Sequence, residues 1–371
     1  MSYFILTDTS ANLPTPVCEE WELERMPFAY ILDGKEYTCM DTENFDDKEY
    51  YGKLRSGVRA TTSMVAQEAY YEAMTRRAAN GDDVLYIGMS SGISGAYAAS
   101  ESASKRVREE NPNVRIETFD TRGASLGEGL LVLEAARMRK AGASMDEVLA
   151  MLRNHRSRTQ QVFTVDDLMH LQRGGRVSRV AAMVGSVLQI KPILESDELG
   201  RIIVTSKVRG RKKAVRYLAD ALRKKIDPNE KQLIGIAHAD CKEDAETLEG
   251  LIRESCPNAQ FLTVKYEPVT GAHVGPGALA LFFLSKDTWR YATGTASFPP
   301  HFLPAFPEGA LPDGGRFRLP RRSPEGAGWS WSRPWWCPEW SSLRFFPGWH
   351  QTAACPRSSY WRTAWPWPTR R

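Results

Sequence analysis

The sequence predicts an α/β protein, and three observations carry that reading. Short apolar runs alternate with amphipathic stretches throughout residues 1–287, the pattern of strands packed under helices. Three times in the first half such a run passes through a small polar turn into a helical stretch. That repetition implies a parallel sheet with any ligand at the carboxyl ends of its strands. From about residue 160 the rhythm changes to hairpins mixed with helices. A first domain over 1–160 is therefore expected to be followed by a second α/β domain with a mixed sheet over 161–287.

Each element has its own justification. Residues 3–6 are a buried strand that ends at Thr7, Asp8, Thr9 and Ser10. Runs 28–32 and 36–40 form a hairpin, because Asp33-Gly34 supplies its turn. Residues 46–55 read as a helix stopped near Gly57, and 64–79 as a longer helix with Thr62 and Ser63 at its cap. Strand 84–87, helix 94–110, strand 114–119 and helix 125–141 come next. A helix over 144–155 leads to strand 161–165, the segment 167–172 and the turn Arg173-Gly174-Gly175-Arg176. An apolar helix over 177–187 precedes strands 190–194 and 201–206, which flank a hairpin turn over 196–200. Helix 212–225, strand 233–237, helix 242–254 and strand 260–266 complete the pattern. In Gly271-Ala272-His273-Val274-Gly275-Pro276-Gly277 the glycines permit a tight bend, Pro276 can start a helix, and His273 is left at the turn.

Composition breaks at Thr288. The last 84 residues hold 10 of the 11 Trp, 13 of the 22 Pro, 11 Arg and 4 acids, with no Lys, Ile, Val, Met or Asn. Removing those charges from totals of 49 bases and 45 acids leaves 38 and 41 in residues 1–287, a net of −3. The +4 of the whole chain therefore gives no argument for nucleic-acid binding by the folded part. Residues 288–371 show no sustained helix or strand period. They are expected to be a disordered tail or the product of a shifted reading frame, rather than a third domain. No run approaches the ~20 apolar residues of a membrane span, and the N-terminus reads as a first strand, not a signal peptide. Six cysteines with no C-x-x-C pair and no His at zinc spacing suggest free thiols in a cytoplasmic protein without a metal.

Four places put hydroxyls or glycines where a strand meets a helix: Thr7–Ser10, Thr61-Thr62-Ser63, the turn from Ser90 to Gly95, and the segment from Asp120 to Ser125. Helix N-termini suit anions, while plain capping explains any one of these alone. Gly88-Met89-Ser90-Ser91-Gly92 also matches G-x-S-x-G. That permits a serine hydrolase with His238 or His273 as base and Asp120 or Asp166 as its orienter. The anion argument alone permits a binder of a small phosphorylated metabolite. Arg176, before an apolar stretch, is placed to hold an acidic head group, and the stretches 180–190 and 279–284 are either core or the wall of an acyl tunnel.

Six segments in order resemble the DegV family, the fatty-acid-binding proteins that include the FakB subunits of bacterial fatty acid kinase. They are ILTDTSANLP, ATTS, MSSGISGAY, FDTRGASLGEGLLV, TVDDLMHLQRGGRVS with VLQIKPIL, and GAHVGPGALALFF. The resemblance implies a Rossmann-like N-terminal domain and a C-terminal α/β domain, with a long-chain fatty acid of roughly the C16–C18 class buried between them. It implies that Thr62, Ser63, Ser94 and His273 bind the carboxylate, and that Arg176, Arg209 and Arg211 face the phosphoryl group or a partner kinase. On this reading Ser90 is not the key serine, no cofactor is needed, and the chain is not itself an enzyme. It presents the carboxylate to an ATP-dependent kinase subunit and carries the acyl-phosphate. Where the family usually continues Thr-Ser with Gln-Pro-Ser, this chain has Met64-Val65-Ala66, so an amide donor and a preformed turn are missing.

Overall fold

A computed structural model describes residues 3–38, 40, 45–178, 189–229 and 231–287. The expected tail over 288–371 and nearly all of the expected helix over 177–187 lie outside the described residues.

The first sheet is parallel, in the order β2-β1-β6-β7. Its strands are β1 (Tyr3–Asp8), β2 (Leu23–Met26), β6 (Asp83–Gly88) and β7 (Ile116–Asp120). Ile5 pairs with both Leu23 and Leu85, and Val84 with Ile116. β1 and β6 are buried on both faces, which is why they read as unbroken apolar runs. β1 leads into α1 (Thr15–Glu20) through a short 3-10 turn over Thr9–Ala11. β2 was not foreseen, because Leu-Glu-Arg-Met shows no apolar run.

Between β2 and β6 lies a small antiparallel sheet in the order β4-β3-β5, made of β3 (Ala29–Leu32), β4 (Lys35–Thr38) and β5 (Ala60–Ser63). Asp33 and Gly34 turn the hairpin with φ of 52° and 77°, the pair of positive values that a two-residue turn requires. Helix α2 (Asp47–Arg55) is capped by Asp46, whose carboxylate accepts from the Glu49 N–H. β5 corrects the sequence expectation. Thr62 and Ser63 do not cap a helix; they are strand residues, and α3 (Gln67–Ala79) starts four residues later at an extended Ala66 without a side-chain cap.

Helices α4 (Ala96–Glu110), α5 (Leu126–Lys140) and α6 (Met145–Arg156) follow β6 and β7. Ser144 and Glu147 close a capping box at the start of α6. α5 lies between the sheets. A Cβ on its Gly129 would fall 2.4 Å from the carbonyl of Ala11, and one on Gly235 of the second sheet would fall 2.9 Å from Leu126 Cβ.

The second sheet is mixed, in the order β10-β9-β8-β13-β11-β12. It contains β8 (Thr159–Thr164), β9 (Ile190–Ser196), β10 (Ile202–Arg209), β11 (Leu233–His238), β12 (Gln260–Lys265) and β13 (Leu279–Leu284). Only β11 and β12 run parallel; the other neighbours are antiparallel. Short α7 (Met169–Arg173) follows β8, while α8 (Arg211–Lys225) and α9 (Lys242–Arg253) cover one face. α8 buries Ala214, Val215, Leu218, Ala219 and Leu222, and full burial of each leucine contributes about 1.5–3 kcal/mol.

One further correction falls in this half. Pro276 starts no helix. Helix α10 (Pro268–Val274) already contains Gly271 and His273, and Gly275 and Gly277 turn the chain with φ of 75° and 78° into β13, a central strand. The described residues form one compact unit, and its largest core cluster mixes Ile5 and Leu85 of the first sheet with Phe163, Ala237 and Phe282 of the second.

Candidate functional site: an apolar cavity with a cationic end

A cavity of about 260 Å³ opens where the carboxyl ends of β6 and β7 meet the mixed sheet. One face of that sheet supplies Gln161 and Phe163, two apart on β8, together with Phe282, which pairs with Gln161 in the register. Phe28, Met89, Ile93, Leu171, Val269 and Val274 complete an apolar wall. Polar groups enter at a few points, as in ligand pockets generally.

Four sequence-predicted residues line this cavity together: Thr62, Ser94, Arg176 and His273. Thr62 Oγ1 lies 2.8 Å from His273 Nε2. The imidazole reaches that place because position 174 is glycine; a Cβ there would fall 2.2 Å from His273 Nδ1. The two glycine-rich turns singled out in the sequence thus meet around one ring. Burial first, and the nearby Arg176 charge second, push the His273 pKa down to about 4, so the ring is neutral at neutral pH. Ser94 Oγ accepts from the Ala96 N–H at 3.2 Å, at the start of α4.

Arg176 is half-buried, and its Nε donates to the Ile93 carbonyl at 3.0 Å. Its Nη1 donates to the Gly174 carbonyl. Among the described residues it has no carboxylate partner, and burial pushes its pKa down. A guanidinium keeps its charge in a protein, so this end of an apolar cavity carries a desolvated cation that wants an anion.

The other predicted residues are not brought to the cavity. Ser63 follows Thr62 on β5 and so points to the opposite face, where its hydroxyl donates to Glu36 at 3.4 Å. Arg209 is exposed at the end of β10. Arg211 is committed to Asp244 at 2.8 Å, faces Asp166 at 3.6 Å and donates to Cys241 Sγ at 3.3 Å. Of the Met64-Val65-Ala66 departure, Met64 lines the cavity and approaches Gly95, and Val65 is buried in the core.

The hydrolase arrangement is not formed. Ser90 is fully buried, donates to the Gly200 carbonyl at 2.8 Å and accepts from the Gly92 N–H at 3.1 Å. Asp120 serves Ser91 and the Arg122 N–H, and Asp166 pairs with Lys191. Among the described residues no imidazole hydrogen-bonds Ser90, and His238 is buried with its Nδ1 unpartnered.

Sequence reasoning missed several neighbours. Ser125, which lines the cavity, sits at φ 52°, ψ −139°, a conformation costly for a residue with a side chain. Its hydroxyl accepts from Asn12 Nδ2. Behind it lies a buried acidic cluster. Asp8 accepts from the Ser10 N–H at 2.9 Å and from Tyr86 at 2.9 Å, and Glu128 accepts from Thr7 at 3.0 Å. Ser10 Oγ lies against Asp8 Oδ1 and 2.8 Å from Glu128 Oε2. A hydroxyl has one hydrogen to give, so the two carboxyls compete for it. Burial pushes both pKa values up, with Asp8 adding repulsion at Glu128. Among the described residues neither has a cationic partner. Glu267, which caps α10 by accepting from the Val269 and Thr270 N–H groups, is raised by burial to about 7. Asp8 was visible in the Asp-Thr-Ser turn; its partner, 120 residues away in a Gly-flanked position, carried no signal.

Fold and cavity together define a class: a mixed α/β protein whose apolar pocket, set between a parallel and a mixed sheet, ends in the Arg176 guanidinium. The sequence profile described as "Uncharacterised protein, DegV family" matches residues 2–286. This chain belongs to the DegV family. A DegV domain-containing protein of Clostridium perfringens is 40% identical over 283 residues, 76% of this chain and 97% of that one. The solved structure of a fatty acid binding DegV family protein from Streptococcus agalactiae is 29% identical with a TM-score of 0.68, covering 77% of this chain and 100% of that one. DegV, a fatty acid binding protein from Bacillus subtilis, is 28% identical with a TM-score of 0.67 over the same shares. The profile match ends just before the composition break at Thr288. No helix among the described residues is long and apolar enough to cross a membrane.

Proposed function

We propose that this protein holds a long-chain fatty acid of roughly the C16–C18 class, with its carboxylate against Thr62, Ser94, His273 and Arg176. The observation that carries the reading is Arg176, a half-buried cation at the end of an apolar cavity whose only described partners are two carbonyls. An ionised carboxylate is the complement this end lacks, and a methylene chain suits the wall. Each buried methylene contributes about 0.8 kcal/mol, while the hydroxyls and guanidinium replace the hydrogen bonds the carboxylate leaves in water. Related proteins from Streptococcus agalactiae and Bacillus subtilis are fatty acid binding proteins, which supports the same ligand here.

We place the phosphoryl chemistry on a partner. The chain presents its bound carboxylate to an ATP-dependent fatty acid kinase subunit and then carries the acyl-phosphate away from water. A carboxylate oxygen attacks the terminal phosphorus of ATP, ADP leaves, and the new phosphoryl charge is offset by Arg176. Exposed Arg209 is suited to contact the kinase; Arg211, held by two aspartates, is suited to support it. Denaturing mass spectrometry of the purified protein should find one fatty acid per chain. No fatty acid, together with no uptake of added oleate, would falsify the reading. Loaded protein mixed with a kinase subunit and ATP should yield acyl-phosphate; a loaded protein that never does so removes the kinase step alone.

A further inference from the structure

A second cavity lies beside the first and has the opposite character. It encloses about 300 Å³ between the end of β7, the last turn of α6 and the β9–β10 turn, and Arg122, Arg153 and Arg156 converge on it. We propose that this cavity is a binding site for a phosphate-bearing anion, distinct from the acyl pocket.

Among the described residues none of the three arginines forms an ion pair. Arg122 Nη1 donates to the Glu198 carbonyl at 2.6 Å. Arg156 Nη1 donates to the Asp120 carbonyl at 3.0 Å, and its guanidinium lies 4.9 Å from the Phe119 ring centre. Arg153 is exposed and has no hydrogen-bond or ion-pair partner among the described residues. Of the nearby carboxylates, Asp120 and Asp197 are engaged elsewhere, while Asp197 and Glu198 themselves line the cavity. Asp120 accepts from Ser91 and the Arg122 N–H. Asp197 pairs with Arg201 and accepts from the N–H groups of Leu199 and Arg201. Glu198 offers its carbonyl to Arg122 while its exposed carboxylate has no described partner. Burial, followed by repulsion from Arg122, pushes the Arg156 pKa down, against an opposing attraction from Asp120. Three neighbouring cations, two of them resting on carbonyls, are an arrangement that a multiply charged anion would relieve.

The ligand class follows from the donors. A guanidinium gives a planar pair of N–H bonds that matches phosphate oxygens, and the hydroxyls in the lining already donate to carbonyls: Thr121 to Gly88, Ser157 to Asn154 and Thr159 to His155. Arg122 is held there at φ 54°, its N–H on Asp120 and its carbonyl on Gln161 Nε2 at 3.1 Å. Gln161 lines both cavities, so a ligand in one lies a single side chain from the other.

The test uses pyrophosphate on the full chain at near-physiological ionic strength, read by calorimetry and thermal melting. Pyrophosphate should bind and raise Tm. Arg153→Gln should weaken binding about tenfold, and Arg153→Gln with Arg156→Gln by more, whereas Arg253→Gln on α9 should not change it. A second arm uses vesicles of phosphatidylglycerol and phosphatidylcholine in equal parts. Arg153-dependent co-sedimentation without pyrophosphate binding keeps the site and assigns the phosphate to a lipid head group. Binding to neither probe, or binding that folded Arg153→Gln leaves unchanged, overturns the proposal. The outcome is independent of whether fatty acid binds the first cavity.

Discussion

Two buried polar regions lie within the same body and are built in opposite ways. At the cavity end a cation stands without an anion: Arg176 donates to two carbonyls, beside a neutral His273. Behind Ser125, acids stand without a cation among the described residues: Asp8 and Glu128 share Ser10, and burial raises both pKa values. The difference teaches how a fold treats charge. Carboxyls can neutralise themselves by keeping a proton when burial is costly, so the acidic cluster is complete as it stands. A guanidinium cannot, so the cavity end is complete only with a ligand. On the proposed function, one region serves stability and the other serves binding.

The largest expected effect breaks the acidic cluster. Glu128→Ala strands the Thr7 and Ser10 hydroxyls in a dry space and should cost about 3 kcal/mol or more in urea unfolding. Glu128→Gln, which resembles the protonated acid, should retain most of that stability. Equal losses in both variants would mean that the charge of Glu128, not its hydrogen bonding, holds the cluster.

The two regions should also carry opposite pH signatures. Glu267 is raised from its ordinary 4.5 to about 7 by burial. Its contribution to stability is therefore fully present below pH 4.5 and is lost as pH rises through about 7, an effect of about 3 kcal/mol. Asp8 and Glu128 act in the same direction. His273, pushed down from 6.5 to about 4, acts in reverse: its contribution is present above 6.5 and lost as pH falls through about 4. Urea midpoints across this range should show a shallower alkaline decline in Glu267→Gln and a shallower acid decline in His273→Gln. If Glu267→Gln leaves the alkaline side unchanged, Glu267 is not the raised acid that this account requires.

Arg176→Met sharpens the comparison on the binding side. It should weaken oleate binding about 10- to 100-fold while the ligand-free protein melts no lower than wild type, because a desolvated cation has been removed. Parallel loss of stability would assign Arg176 to the fold instead. Smallest is Thr62→Val, about 1 kcal/mol in binding, measured by displacement of a fluorescent fatty acid.

Much of this architecture was legible because it depends on local pattern. The doubly buried β1 and β6 announce themselves as apolar runs, and Asp33-Gly34 dictates its turn. Elements without a local signal were missed: β2 is half charged, and β5 is four small residues that read equally well as a cap. At the site, Thr62, Ser94, Arg176 and His273 were each visible in a glycine- or hydroxyl-rich turn. Their meeting was not derivable from spacing, since the Thr62–His273 contact spans 211 residues. Gln161 looked like an ordinary strand residue, yet its amide holds the Ala124 N–H and the Arg122 carbonyl. Glu128 falls at the start of a helix, where an acid is normally a solvated dipole partner; only the third dimension shows it buried beside Asp8.

The most direct test of the contrast between a waiting cation and self-neutralised acids is carbon-13 NMR of the protein loaded with carboxyl-labelled oleate. The bound carboxyl should give one sharp carboxylate resonance that titrates at least about one pH unit below that of an ordinary free carboxyl, and Arg176→Met should abolish that depression. A bound carboxyl that titrates at or above the free value, or one indifferent to Arg176, would contradict the assignment of the guanidinium as the missing anion's partner.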